Sequence, residues 1–390
     1  MTSKQRMLAA LNGTLPDRLP VSTHHVMPSF LKAQLGGITN EEFFRRFGLD
    51  PIRWVNENRA DPTRGEYLDP DHQGAFLEPR RVASGRWKVT AEEVPDPQYP
   101  TVRYTFHTSG KPLTTTLQSD EHTSWVIERL IKEKSDLDVL GECMTYPLCD
   151  ITEVNAIADA VGESALIRGT VLCFDVYGQP GCWQDAAVLF GIENLIMATY
   201  DDPDWVHALL ALLRDRKLRF AESTAGARFD LIEFGGGDAS STVISPQIFE
   251  TFVAPYDAPV IDALHRAGQR VVYHTCGGMM PLLERIADLG SDAMETFTPP
   301  GMGGDANLAE AKRRVGGRVC MIGGFDQFHF FTGCRAEDTR REVRRCFEEA
   351  GPGGGFILCP SDHFFDAEPA LIRAYADEAR LCTYNHESPP

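Results

Sequence analysis

From about residue 150 the chain alternates short apolar runs with longer stretches of helical period. The runs fall at 166–173, 231–234, 270–274, 293–296, 318–322 and 355–359. Between them, 203–223, 246–267 and 337–350 carry apolar residues at helical spacing. Strand-helix alternation predicts a parallel sheet covered by helices. Two earlier runs, 19–23 and 52–55, bring the strands to about eight, which favours a (β/α)8 TIM barrel over an open sheet. A first helix over 3–11 starts at a Ser3 cap and stops at Gly13, and Thr39 caps a short helix over 40–47.

The stretch 55–125 has a different rhythm. Arg86-Trp87-Lys88-Val89-Thr90 and Val102-Arg103-Tyr104-Thr105-Phe106 alternate polar and apolar, with 111–117 as a third strand and Gly, Pro and Asp between them. This predicts an antiparallel β insertion near the N-terminus, covering one end of a single barrel domain that spans 1–390.

Composition narrows the function. The chain has 390 residues, 43% of them hydrophobic, as an ordinary globular enzyme does. The 38 basic and 56 acidic residues leave a net charge of −18, which repels phosphate backbones and argues against nucleic acid. No run of about 18 apolar residues is present, so no membrane helix is expected. The N-terminus opens an amphipathic helix instead of an apolar signal core, and the expected compartment is the cytoplasm. The 10 cysteines there stay reduced, so they fill the core or bind metal.

A barrel places its chemistry where strands run into loops at their carboxyl ends. Those ends read His24-His25, Cys173 to Gly178 with Tyr177, Glu233 to Asp238, His274-Thr275-Cys276, Glu295, and Cys359-Pro360-Ser361-Asp362-His363. Glu233, Asp238, His24 and Tyr177 are the catalytic candidates. His274 and Cys276 are two apart in extended backbone and face one side, so imidazole and thiolate can share a metal. That donor pair suits zinc. Further ligands come from Glu233, Asp238, Cys359, Asp362 or His363. No phosphate loop, dinucleotide fingerprint or nucleophile elbow occurs.

At these residues the chain resembles the uroporphyrinogen decarboxylase superfamily. The resemblance rests on Ser3-Lys4-Gln5-Arg6-Met7-Leu8-Ala9-Ala10-Leu11-Asn12-Gly13 with Pro16-Asp17-Arg18-Leu19-Pro20, on Ile244-Ser245-Pro246 with Pro255-Tyr256, on His274-Thr275-Cys276-Gly277 and on 353–358. It implies a (β/α)8 barrel. True decarboxylases carry two arginines after the first strand, where this chain reads Thr23-His24-His25-Val26-Met27-Pro28-Ser29. The resemblance therefore turns to the cobalamin-dependent methyltransferase branch. It implies methyl transfer between a corrinoid (methylcobalamin) and a small thiol, tetrahydrofolate or methoxylated substrate, with zinc held by His274, Cys276 and a later ligand. The family's third ligand aligns with Asp362, and Cys359 stands three residues earlier. The chain has no Asp-x-His-x-x-Gly motif, so the cobalamin is expected on a partner corrinoid protein. The alternative is a lyase of the same superfamily acting on another carboxylated substrate through Arg53, Arg59 or Arg168.

Overall fold

Apolar runs flanked by helices bury both of their faces only in a parallel sheet, and the chain forms one. The computed structural model describes residues 1–74 and 78–384. Seven parallel strands lie in the order Ile52–Trp54, Leu166–Thr170, Leu231–Gly235, Val271–His274, Ala293–Thr296, Cys320–Phe325 and Phe356–Pro360, giving an α/β barrel-like fold. Where another strand was expected, at 19–23, a single parallel bridge joins Val21 to Leu358. Leu358 N donates to Pro20 O at 2.9 Å and Asp50 N donates to Val21 O at 2.7 Å, so this segment links the two end strands. Pro20 has no N–H to add to the ladder, which keeps the pairing short.

The opening motif is a structural clamp. Thr2, not Ser3, caps the first helix, in a capping box with Gln5. Arg6 then reaches Asp17 at 2.6 Å and Asp50 at 2.7 Å. Arg18 also pairs with Asp50, whose carboxylate accepts the N–H of Val21. Two guanidiniums thus fix the buried carboxylate that positions the first segment.

Two expected elements differ in detail. The 166–173 run stays a strand only to Thr170. Beyond it, Lys217 and Arg216 of the helix Pro203–Ser223 take the carbonyls of Leu172 and Cys173, replacing a strand partner. The 246–267 helix is interrupted by a π turn over Phe249–Val253. Pro255 and Pro259 cannot donate their i→i−4 bonds, and a widened turn absorbs that loss.

Ahead of the second strand lies a six-stranded antiparallel sheet, from Glu66–Leu68 to Ser124–Glu128. Its strands Trp87–Glu93, Thr101–Thr108 and Leu113–Ser119 pair in register, with Val89 opposite Phe106 and Phe106 opposite Leu113. Trp87 is fully buried against Phe106 and Phe174, and its indole N–H donates to Asp175 Oδ2 at 2.6 Å. The expected insertion 55–125 and domain 1–390 also take in residues 75–77 and 385–390, outside the described residues. Among the described residues no helix is long and apolar enough to cross a membrane.

Candidate active site at the carboxyl ends of the strands

The run Leu166-Ile167-Arg168-Gly169-Thr170 buries an arginine in an otherwise apolar strand. A buried guanidinium requires anionic partners. Register supplies them. Thr170 pairs with Glu233, Gly235 with His274, and His274 with Glu295, which stacks the charged positions of neighbouring strands across one end of the sheet. Arg168 Nη2 donates to Glu233 Oε2 at 2.5 Å and to Glu295 Oε1. It lies 3.3 Å from His24 Nε2, while the guanidinium sits over the Trp54 ring at 4.5 Å. His24 Nε2 is 3.1 Å from Glu233 and 3.3 Å from Glu295. Backbone room at this junction comes from Gly235, whose φ is +106° and where a Cβ would stand 2.4 Å from the His274 carbonyl oxygen.

The ligating atoms of His24, Glu233, His274 and Glu295 all lie within 4.8 Å of one another. That is a metal-like donor set, but the Arg168 nitrogen already bonds both carboxylates and borders His24. The guanidinium stands where a cation would. Burial raises the cost of ionising both glutamates, yet Arg168 and His24 outweigh it and hold them below the usual carboxylate range. Burial also opposes a charge on His24, and the same two carboxylates raise its pKa in spite of it.

A second corner branches from His274. Its Nδ1 is 2.8 Å from Glu295 Oε1, which leaves Nε2 facing the Cys276 sulfur at 3.0 Å. Cys276 Sγ lies 3.4 Å from Asp362 Oδ2, so it stands between the other two donors. A carboxylate that fixes one imidazole nitrogen and aims the other outward is the usual support of a metal-bound histidine. Imidazole, thiol and carboxylate together suit a borderline divalent ion. Asp362 is buried, but His363 and the more distant His274 and His24 keep its pKa lowered. His363 lies against Asp362 at 2.8 Å and stacks on His25 with centroids 5.0 Å apart.

The remaining expected residues fall elsewhere. Cys359 is buried in the strand Phe356–Pro360; burial raises its thiol pKa, with Glu295, Arg168 and Asp362 near enough to act on it, while Asp362 lies beyond the strand end. Asp238 is clamped by Gln184, accepting from its amide at 2.7 Å, and burial raises its pKa. Tyr177 borders a separate cavity of about 360 Å³ beneath the antiparallel sheet. Arg53 faces Glu41 and Arg59 its neighbour's carbonyl, both away from the cluster. Sequence reading assigned no role to Glu295 and saw Arg168 only as a substrate anchor. The signal was available: each is a charge inside a buried parallel strand.

A cavity of about 170 Å³ adjoins Cys276 and Asp362. A larger one, about 890 Å³, lies on the outer side of the Ile52–Trp54 strand, and of the clustered residues only Trp54 borders it. Chemistry, not size, selects the smaller.

Comparison with known proteins follows the same lines. The family model described as uroporphyrinogen decarboxylase (URO-D) matches residues 148–380, which contain every clustered residue except His24, His25 and Trp54. A uroporphyrinogen decarboxylase of Thioalkalivibrio sulfidiphilus (strain HL-EbGR7) is 31% identical over 188 residues, 46% of this chain and 49% of that protein. One of Nocardia farcinica (strain IFM 10152) is 26% identical over 268 residues, 62% of this chain and 72% of that protein. The chain thus spans about half the length of the first of these relatives. Among solved structures, a methyltransferase from Methanosarcina mazei aligns with a TM-score of 0.63 and 16% identity, covering 97% of this chain and 98% of that one. At that identity the likeness is one of fold.

Proposed function

The chain belongs to the uroporphyrinogen decarboxylase family, and from its site we propose a metal-dependent methyltransferase that exchanges a methyl group between a corrinoid and a small substrate. The observation that carries this is the His274–Cys276–Asp362 corner, with His274 oriented by Glu295. The three residues would hold one divalent ion, zinc by donor type. Bound there, zinc supplies the Lewis acidity that keeps a coordinated thiol deprotonated near neutral pH.

The protein's own groups do the rest. Glu295 holds the His274 tautomer. Arg168 neutralises Glu233 and Glu295, so these carboxylates do not draw the ion away from Cys276. His24 and Glu233 share a hydrogen bond beside the corner and are placed to hold a proton during turnover. A thiolate held there would attack the methyl carbon of a methylated corrinoid, the methyl–cobalt bond breaking with its electron pair left on the corrinoid, and the thiol proton would pass to the His24–Glu233 pair. The same corner read in reverse demethylates a methoxylated or methylated compound. The corrinoid would arrive on a partner protein, in the cytoplasm, with no part for nucleic acid or membrane. This reading counts 20–22 as the eighth strand of a (β/α)8 barrel over 1–390, with the antiparallel sheet as an insertion covering the mouth.

The family's name favours a second reading, decarboxylation of a carboxylated substrate. Against a porphyrinogen stand two observations. Residues 23–29 contain no arginine, and the cavities at the strand ends, about 170 and 360 Å³, are small for a polycarboxylated macrocycle. Arg168, buried at the strand ends, is held by two glutamates, while Arg80 and Arg81 border the larger of these two cavities.

Metal analysis after growth in zinc-replete medium, on wild type, His274→Ala and Cys276→Ala, tests the proposal. One equivalent of zinc is expected in wild type and under a tenth in either variant. Loss of methylcobalamin absorbance in the presence of a thiol is expected to follow the zinc. Equal metal in all three proteins, or coproporphyrinogen formation at enzymatic rates, overturns it.

A further inference from the structure

The cavity beside Cys276 and Asp362 carries information about what binds there. Its walls are Met302, Phe328, Phe365 and Thr298, closed by the two donor residues with Gly277 and His363. Among the described residues no arginine or lysine borders it. The Thr298 hydroxyl is already bonded to Gly277 N at 3.3 Å and to Thr296 Oγ1 at 2.9 Å. His363 is pinned between Asp362 and the His25 ring. The Thr298 hydroxyl and the His363 Nδ1 are thus engaged, and Asp362 is one of the two donor residues. Phe328 leaves 56% of its surface in water at the rim. Phe365 is backed by His122, at the turn between the strands Leu113–Ser119 and Ser124–Glu128, with centroids 4.8 Å apart.

We propose that this cavity is the substrate pocket and that it selects an uncharged thiol, or its methyl thioether, with a body about the size of a benzene ring. The proposal rests on the metal-dependent methyl transfer above and names its substrate class. Size supports it: an apolar cavity of roughly 150 Å³ holds benzene, and this one measures about 170 Å³. Charge supports it too. With the ion held by His274, Cys276 and Asp362, a carboxylate or sulfonate tail on the far end of a metal-bound thiol would lose its water among Met302, Phe328 and Phe365 and find no arginine or lysine among the lining residues to pair with. An apolar body loses nothing on entry and packs against three apolar side chains.

The test compares benzenethiol with mercaptobenzoate and mercaptoethanesulfonate on the cobalt-substituted protein. Calorimetric titration reads affinity whether or not metal is present, and the thiolate-to-cobalt charge-transfer band reads metal contact. Benzenethiol is expected to bind at least about tenfold more tightly than either charged thiol. Phe328→Ala is expected to weaken benzenethiol about tenfold while leaving cobalt content unchanged. Met302→Arg, which places a cation on the wall, is expected to reverse the order in favour of mercaptobenzoate. Equal or tighter binding of the charged thiols to wild type overturns the proposal, and so does the absence of binding by all three. Apolar preference without the charge-transfer band upholds the pocket and sinks the metal reading. The band with a charged thiol preferred upholds the metal and sinks the pocket.

Discussion

Glu233 and Glu295 at the barrel mouth and Asp257 behind the sheet are all deeply buried acids, and they behave in opposite ways. Asp257, on the helix Ala254–Arg266, accepts from Tyr273 Oη at 2.9 Å and from Cys182 N at 3.3 Å. Those two neutral donors do not offset burial, which pushes its pKa up to about 6. The glutamates are buried to a similar degree, but each touches the Arg168 guanidinium, and both are held down. Lys217 acts on Asp257 only from a distance and does not offset burial, so direct contact with a cation, not burial alone, separates these carboxyls. The same contrast separates the two donor sets in the mouth. The tighter one has its cation built in, and the looser one, around Cys276, does not.

Removing the built-in cation is the severest way to break the comparison. Arg168→Met strands two carboxylates and is expected to lower stability by about 3–5 kcal/mol in urea unfolding. It also frees the set of His24, Glu233, His274 and Glu295, so excess divalent metal is expected to restore part of the loss and a second metal equivalent to appear. A variant that binds no more metal than wild type would show that Arg168 does not stand in for a cation.

Asp257 tests the other side. Its folded pKa lies above the unfolded value, so the protonated form is favoured by folding. The stabilisation is complete below about pH 4 and is lost as pH rises through about 6. The stability at stake is about 3 kcal/mol. Asp257→Asn is expected to flatten that part of the stability profile, measured by denaturant midpoints from pH 4 to 7. An unchanged slope rejects Asp257 as its source.

Glu295→Gln sharpens the comparison at the shared histidine. Losing the carboxylate behind His274 is expected to weaken zinc about 10–100-fold with the fold retained, read by competition with a chromophoric chelator. Unchanged affinity would detach Glu295 from the metal corner. Cys359→Ala carries the smallest expectation: full metal content and a loss of about 1 kcal/mol from a core position. A drop in zinc would return Cys359 to the ligand set.

Much of this was legible in the chain because periodicity and strand-end placement are local. The runs around Ile232, Val272 and Ile322 mark buried strands, and His274-x-Cys276 is visible as a pair. What stayed hidden depends on the register between strands. Nothing local to Arg168 reveals that Glu233 and Glu295 meet it from the next strand and from two strands further on. The sequence offers both Cys359 and Asp362 as a further donor because it does not say where the last strand ends; the strand closes at Pro360, with Cys359 inside it and Asp362 beyond it. The short pairing at Val21 and the π turn before Pro255 were hidden for a related reason. Apolar pattern records which residues are buried, not whether a proline has removed a hydrogen bond.

The indole bond from Trp87 to Asp175 has a consequence for how the molecule opens. Asp175 is also gripped by Arg216 at 2.5 Å, and Arg216 holds the carbonyls of Thr145 and Cys173. One carboxylate thus ties the antiparallel sheet, the loop after Leu166–Thr170 and the long helix Pro203–Ser223 into a single knot. These three segments should exchange their amide hydrogens as one cooperative unit, with a common opening free energy. The sheet would then not breathe independently of that helix, and the cavity beside Cys276 would open at its exposed rim residue, Phe328.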